Sequence, residues 1–362
     1  MPRTAKIPLF AKKSHMPNVP VSASSAPFVA FGELLLRMTA TGGRLLDELP
    51  LIEPFVGGAE ANVAVGLARL GHTSKMVSVV PENALGQGAV NELRRWGVDT
   101  GGVFTAPGRM GLYFLTPGAI HRRSDIVYDR AGSAFATARF SRFNWAKLLK
   151  GAGWLHVSGV TAALGPNSVA AALKAMQTAR KMGVSVSFDC NYRPTLWQAW
   201  GGDAPTLIRG LMAEADLMFG GHRDIELVFG RKFDGADATS VREHNAADFA
   251  FSQFPHLKRM VSTRRTQVSA DHNRLSGQMF TRDRALETET YDIAGIVDRI
   301  GGGDAFAAGV LHGLILGEDD QTALNYGIAC GCLKHGQPGD ISLATHPELI
   351  DFLSGGSFDV KR

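Results

Sequence analysis

GGAEANVAVGLARLGHTSKMVSVV, Gly57–Val80, holds a glycine pair, a helical run, a stop and an apolar run in one short stretch. Val63, Leu67 and Leu70 recur at helical spacing, and Gly71 supplies the left-handed residue on which helices commonly end. TSKMVSVV then reads as a buried strand. The same alternation extends both ways. Upstream, PFVAFGELLLRM reads as a buried strand, and downstream GQGAVNELRRWGVD reads as a helix. GWLHVSGV, VSVSFDCN, ADLMFGG and LKRMVST follow as strands, and SVAAALKAMQTARKMG lies among them as a helix. Gly303 to Leu316 and Thr322 to His335 are the last long helical runs. Strands and helices that alternate across short turns predict an α/β fold: a doubly wound, mostly parallel sheet with helices on both faces.

Two stretches interrupt the alternation, residues 34–57 and 109–130. The second lies within GLYFLTPGAIHRRSDIVYDRAGSA, where aromatic and β-branched residues flank a glycine turn. Both read as hairpins. Together they predict a small β-sheet lid over the carboxyl edge of the main sheet, where ligands bind in open α/β folds. Residues 1–26 are basic and rich in Pro and Ser and read as a disordered leader, which leaves 27–362 as one α/β domain.

Composition excludes several classes. Lys and Arg number 38 against 34 Asp and Glu, too small an excess for a nucleic-acid footprint. No apolar run reaches membrane-spanning length. Cys190, Cys330 and Cys332 make no disulfide framework, and CGC is too tight for the usual zinc spacings. That usage points to a reducing compartment, the cytoplasm. There is no G-x-x-x-x-G-K-[ST], H-E-x-x-H or G-x-S-x-G motif, and no G-x-G-x-x-G opening a helix after the first strand.

DRIGGGDAFAAG, Asp298 to Gly309, is the segment with chemistry in it. Gly301, Gly302 and Gly303 let successive N–H groups turn toward one point, at the positive mouth of a helix. Such a nest suits a phosphoryl group, and Asp304 beside it suits the proton of an attacking hydroxyl. The segment alone equally allows an N-cap aspartate after a flexible loop.

DRIGGGDAFAAG resembles the C-terminal signature of the ribokinase-like (PfkB) carbohydrate kinases, D-T-x-G-A-G-D-x-F-x-x-G. GGAEANVAVGLARLG resembles the other signature of that family, a glycine pair opening a helix with an Asn. FGELLLRM, MGLYFL, VYDRAGSA, FDCNYRPTLW and LKHGQPGD extend the similarity to the 2-keto-3-deoxygluconate kinases of the family. The resemblance implies a ribokinase-like kinase that uses ATP and Mg²⁺ on a sugar acid. It implies Asp304 as base and Gly301, Gly302 and Gly303 as anion hole. Gly58 and Asn62 would face the sugar, Tyr113, Tyr128 and Arg130 would close on it from the lid, and Arg193 would reach it from the core. Arg37 joins the substrate contacts, since ribokinases carry Asp there, and Arg suits an anionic substrate. In STRRTQVSADHN, an ATP loop without the usual glycines, Thr263 and Arg265 would contact phosphates. An N-x-x-E-like segment organises Mg²⁺ in the family. Here it reads GGHRD: Gly221 stands at the Asn position, and Asp224 alone keeps an acid, as an indirect metal contact. Arg299 replaces the signature Thr. A homodimer through the lid is the expected assembly. A fructokinase, the galactonate epimer as substrate and a non-catalytic sugar-acid-binding relative are the alternatives.

Overall fold

The structure is a computed structural model, and it describes residues 26–233 and 239–356. The leader expected at 1–26 therefore falls, but for Ala26, outside the described residues. Fourteen strands form two sheets. In chain order they are β1 (Phe28–Phe31), β2 (Leu35–Ala40), β3 (Ile52–Gly57), β4 (Ser74–Pro81), β5 (Asp99–Ala106), β6 (Gly111–Thr116) and β7 (Asp125–Asp129). Then come β8 (Trp154–Ser158), β9 (Ser185–Asp189), β10 (Leu217–Phe219), β11 (Arg259–Ser269), β12 (His272–Phe280), β13 (Ala285–Glu287) and β14 (Tyr291–Ala294).

The main sheet runs β13-β12-β11-β10-β9-β8-β1-β4-β5, with β14 also paired to β12. From β11 to β5 every pairing is parallel; β12, β13 and β14 add an antiparallel flank. β1 sits between β8 and β4, so the chain turns outward in opposite directions from it. That switch point opens a crevice at the carboxyl ends. Every residue of β1 is buried, Val29 and Phe31 in one core, Phe28 and Ala30 in the other. A strand covered on both faces needs a continuous apolar run, and FVAF is one. Helix Pro166–Lys181 packs in the first core; helices Ala59–Arg69 and Gly302–Leu316 pack in the second.

The run PFVAFGELLLRM is two strands, not one. The chain leaves the main sheet after Phe31 and enters a second sheet, β3-β2-β6-β7, at Leu35. The inner face of this small sheet carries Leu35, Tyr113, Leu115, Ile126 and Tyr128. They cluster with Ile300, which lies in the segment entering helix Gly302–Leu316. The small sheet thus rests on the carboxyl edge of the large one. STRRTQVSADHN is likewise no loop: it is the long antiparallel hairpin of β11 and β12.

Candidate active site

Helix Gly302–Leu316 starts at the carboxyl edge, and its mouth is built from the three glycines. Gly301 has φ +78, and a Cβ there would lie 1.8 Å from the carbonyl oxygen of Asp340. Gly303 differs: it is exposed, and a Cβ there would meet nothing within 4 Å. Packing does not demand a glycine at 303, so its emptiness leaves room for a ligand. Among the described residues, the N–H groups of Gly303 and Asp304 bond to no backbone carbonyl. They are the orphan donors of a helix N-terminus and face the same mouth.

Asp304 is half-buried there, and Asn62 donates from Nδ2 to its Oδ2 at 2.7 Å. Burial raises its carboxyl to about 7 against the pull of the Asn62 bond. A carboxylate titrating near neutral pH is matched to general-base work. Asn62 comes from the first turn of helix Ala59–Arg69, whose N-cap is Gly58. A Cβ on Gly58 would stand 2.2 Å from the Glu33 carbonyl oxygen, so the helix starts hard against the β1–β2 connection.

These residues line one cavity of about 430 Å³, with Gly58, Tyr113, Tyr128, Arg130, Arg193 and Arg265 also on its wall. Tyr128 and Tyr113 are paired across β7 and β6, and the Tyr113 hydroxyl donates to Asp340 Oδ2 at 2.7 Å. Asp189 and Asn191, at the end of β9, also reach the cavity. A larger cavity of about 760 Å³ lies against β4 and β5, around Phe104 and Phe143. It has no carboxylate on its wall, so size does not mark the site.

The arginines divide by partner. Arg37 is fully buried and does not line the cavity. Its Nη2 donates to Asp298 Oδ2 at 2.6 Å, its Nε lies 2.8 Å from Asp340 Oδ1, and its guanidinium stacks 4.6 Å from the Phe55 ring centre. The expected substrate contact for Arg37 is corrected: two carboxylates and a ring already occupy it. Arg130 lines the cavity but is paired, Nε to Glu33 Oε2 at 2.7 Å, with Ser133 also donating to Glu33. Arg193, Arg265 and Arg299 form no ion pair among the described residues, and all three line the cavity. Desolvation, with the like charge of Arg299 second, lowers the Arg265 pKa, yet a guanidinium stays charged. Three guanidiniums without an ion pair among the described residues, in one crevice, draw anions. The sequence drew attention to Arg299 only as a departure from a signature; its position on the cavity wall gives it a place.

Two expected contacts lie off the cavity. Thr263, on β11, is exposed and does not line it, whereas Arg265, two residues further along the same strand, does. Asp224 lies at the first turn of helix His222–Phe229, where its Oδ2 accepts from the Gly221 N–H at 2.8 Å. Burial raises its carboxyl, and it raises that of Asp189 in turn. Asp189, Asn191, Asp340, Glu33 and Arg299 were missed as site residues. For Asp189 and Asn191 a signal existed, an acid and an amide directly after an apolar strand in SFDCN. For Glu33 and Asp340 none did.

Comparison with known proteins gives the family. Residues 29–347 match the family model described as pfkB family carbohydrate kinase. The chain is 32% identical over 338 residues to a 2-dehydro-3-deoxygalactonokinase of Haloferax volcanii, covering 93% of this chain and 100% of that one. It is 31% identical over 334 residues to a 2-dehydro-3-deoxygluconokinase of Bacillus subtilis, covering 90% of this chain and 95% of that one. Among solved structures, a 2-dehydro-3-deoxygluconokinase of Thermotoga maritima superposes with a TM-score of 0.85 at 35% identity, covering 91% of this chain and 100% of that one. Sequence, fold and site geometry thus converge, and the chain belongs to the PfkB family of carbohydrate kinases.

Proposed function

We propose that this kinase transfers the γ-phosphoryl group of ATP to the terminal hydroxyl of a 2-keto-3-deoxy sugar acid, with 2-keto-3-deoxygluconate as the first choice. The observation that carries the reading is the presence, in one cavity, of a carboxylate held near neutral pKa and guanidiniums that form no ion pair among the described residues. With Arg265 and Arg299 taken up by the nucleotide phosphates, a neutral sugar would leave Arg193 unanswered. A carboxylate in a partly dry pocket needs them, since an unpaired buried charge is costly.

In this reading Asp304 takes the proton of the terminal hydroxyl as its oxygen attacks phosphorus. The bond to the β-phosphate bridging oxygen breaks, and ADP leaves. The N–H groups of Gly303 and Asp304 and the mouth of the helix stabilise charge on the moving phosphoryl oxygens. Arg193 holds the sugar carboxylate, and Gly58, Asn62 and the two tyrosines bound the sugar. Arg265 and Arg299 hold the nucleotide phosphates. Mg²⁺ commonly binds through a carboxylate or two, phosphate oxygens and water. Asp189, at the end of β9, and Asp224, in the first turn of helix His222–Phe229, would fit that donor set: both are half-buried acids raised above the usual carboxylate range chiefly by burial. Bound there, the ion neutralises phosphate charge.

The small sheet acts as a lid that excludes water from ATP. On its other face Phe114 pairs with Val127, which is 51% exposed, while Leu36 and Leu112 already pack with the second core. A second copy covering that face would make a homodimer, which sedimentation at micromolar protein will show or refute. The three cysteines are free thiols, which suits a reducing setting such as the cytoplasm.

The test is ADP release with ATP and Mg²⁺ across 2-keto-3-deoxygluconate, its galactonate epimer, fructose and ribose. Turnover on the two acids and none on the neutral sugars is expected. Preference for fructose would sink the carboxylate reading.

A further inference from the structure

Lys334 is the buried charge that the proposed chemistry leaves unused. It is the last residue of helix Asp320–Lys334 and is fully buried. Lysine is almost never fully buried unless it is paired. Its Nζ donates to two backbone carbonyls, Gln337 at 2.9 Å and Asp298 at 3.4 Å. These belong to the two segments that form the rear of the anion hole. One runs from Asp298 to Gly301 into the catalytic helix; the other is the turn that leads from His335 to Asp340. Further bonds tie the same pair: Val297 N–H to His335 O at 2.9 Å, and Gly339 N–H to Asp298 Oδ2 at 3.1 Å. The Asp298 carboxylate also accepts from the Ile300 N–H at 2.9 Å. Gly301 presses on the Asp340 carbonyl across this seam.

We propose that Lys334 is a positioning residue for phosphoryl transfer: its ammonium staples the segment entering the anion hole to the Gln337 turn and stands as a fixed positive charge behind the glycines. The charges around it make this specific. Asp298, Asp340 and Asp304 face it as acids, and Arg37 and His335 face it as bases. Arg37 is bound to two of the acids, Asp298 and Asp340. Asp304 in turn is faced by Asn62, Asp340, Asp189, Arg193 and Lys334. Desolvation pulls the Lys334 ammonium down, and the acids oppose that pull. Its charge also helps hold Asp304 ionised, so the lysine acts on the base and on the loop at once. A neutral residue of the same length would keep the packing and lose both effects.

The proposal rests on Asp304 being the base, and the test separates the two. In Lys334→Met we expect a cooperative melt and an unchanged Kd for 2-keto-3-deoxygluconate by calorimetry. We expect kcat to fall about a hundredfold, the scale on which misplaced catalytic groups act. We also expect the acid limb of the kcat/KM profile to move to higher pH. Unchanged turnover with an unmoved limb would mean that the ammonium only fills the core, and the proposal would fall. If Asp304→Asn retains turnover, the parent reading fails instead, whatever Lys334→Met does. If Lys334→Met does not fold, nitrogen-15 NMR of the wild-type enzyme decides. A Lys334 Nζ resonance of a protected ammonium at pH 7 supports the role, and a neutral amine overturns it.

Discussion

Asp304 carries the first prediction because burial, not a neighbouring acid, is the main reason its carboxyl lies near 7. The base must be ionised, so kcat/KM is expected to rise with pH through about that value and to flatten above it. We predict that Asp304→Asn loses about 10²- to 10⁴-fold in kcat, the usual worth of a positioned base, and still binds the sugar acid. A mutant with near-normal turnover in a coupled ADP assay would remove Asp304 from the mechanism. Arg193 lies in the same cavity with no carboxylate of its own; its Nη1 donates only to the adjacent Tyr192 carbonyl, at 3.1 Å. We predict that Arg193→Ala raises KM for the acid about ten- to a hundredfold and leaves KM for ATP nearly unchanged, as expected for the loss of a charge-assisted bond. Equal rises in both would assign Arg193 to the nucleotide. Asp304 follows a pattern legible in the sequence, an acid after glycines, whereas the expectation for Arg193 came from the family resemblance in NYR. Arg37 shows the limit of that logic. It too stands on a strand near the site, but Asp298 and Asp340 reach it first.

At the level of elements, the helix mouth and the lid give opposite kinds of prediction. Gly303 is in the first turn of helix Gly302–Leu316 with open space where a Cβ would go. We predict that Gly303→Ala leaves stability unchanged or raises it by up to about 1 kcal/mol, since alanine is the better helix former. Its methyl group enters the space kept for the phosphoryl group, so kcat should fall while the melting temperature does not. A melting scan beside a rate assay checks both. The lid strand β7 runs directly into Arg130, whose partner Glu33 is buried in the β1–β2 connection. We predict that Arg130→Ala costs about 3 to 5 kcal/mol, because it leaves the Glu33 charge buried without its cation. Denaturant titration measures this, and a loss under 1 kcal/mol would mean that Glu33 is protonated or finds water. The elements themselves were largely readable. Helices Pro166–Lys181, Gly302–Leu316 and Asp320–Lys334 lie within two residues of expectation, whereas the long helix Thr239–Gln253 was not expected. The strand errors share a cause. β1 and β2 merged because a strand passing from one buried sheet to another stays apolar throughout. LKRMVST reads as a strand and gives the start of β11, but the rest of β11 and the start of β12 read as a loop, because polar hairpins at a sheet flank lack a strong apolar alternation.

Over the whole molecule, a chain of three histidines links distant helices. His72, just past helix Ala59–Arg69, bonds from Nε2 to His312 Nδ1 at 2.7 Å, and His312 Nε2 lies 2.8 Å from His346 Nδ1. Burial depresses His72 to about 4 and His312 to about 2. An unfolded histidine titrates near 6.5. The folded form therefore binds fewer protons than the unfolded chain below that pH, and the stability this affords is present above about 6.5 and lost as the pH falls. For His312 alone the loss by pH 5 is about 2 kcal/mol. We predict that His312→Gln, which cannot take a proton there, melts below wild type at pH 7, and that the gap narrows by pH 5. A gap that stays constant would show that the chain does not titrate on unfolding.

The sequence by itself determined the layered α/β order, the helix mouth with its glycines and acid, and the glycine–asparagine helix start that meets it. Those features are local: each is set by spacing, by turn chemistry or by a capping position within a few residues. Tertiary structure alone decided which arginines are free. Arg37 and Asp298 are 261 residues apart in the chain, and Arg130 and Glu33 are 97 apart. A guanidinium in a sequence shows its charge but not the carboxylate that will neutralise it. Folding spends Arg37 and Arg130 on the protein's own acids and leaves Arg193, Arg265 and Arg299 facing the cavity. The identity of the charge that a ligand must bring rests on that division, because only unpaired cations in a desolvated crevice demand an anion.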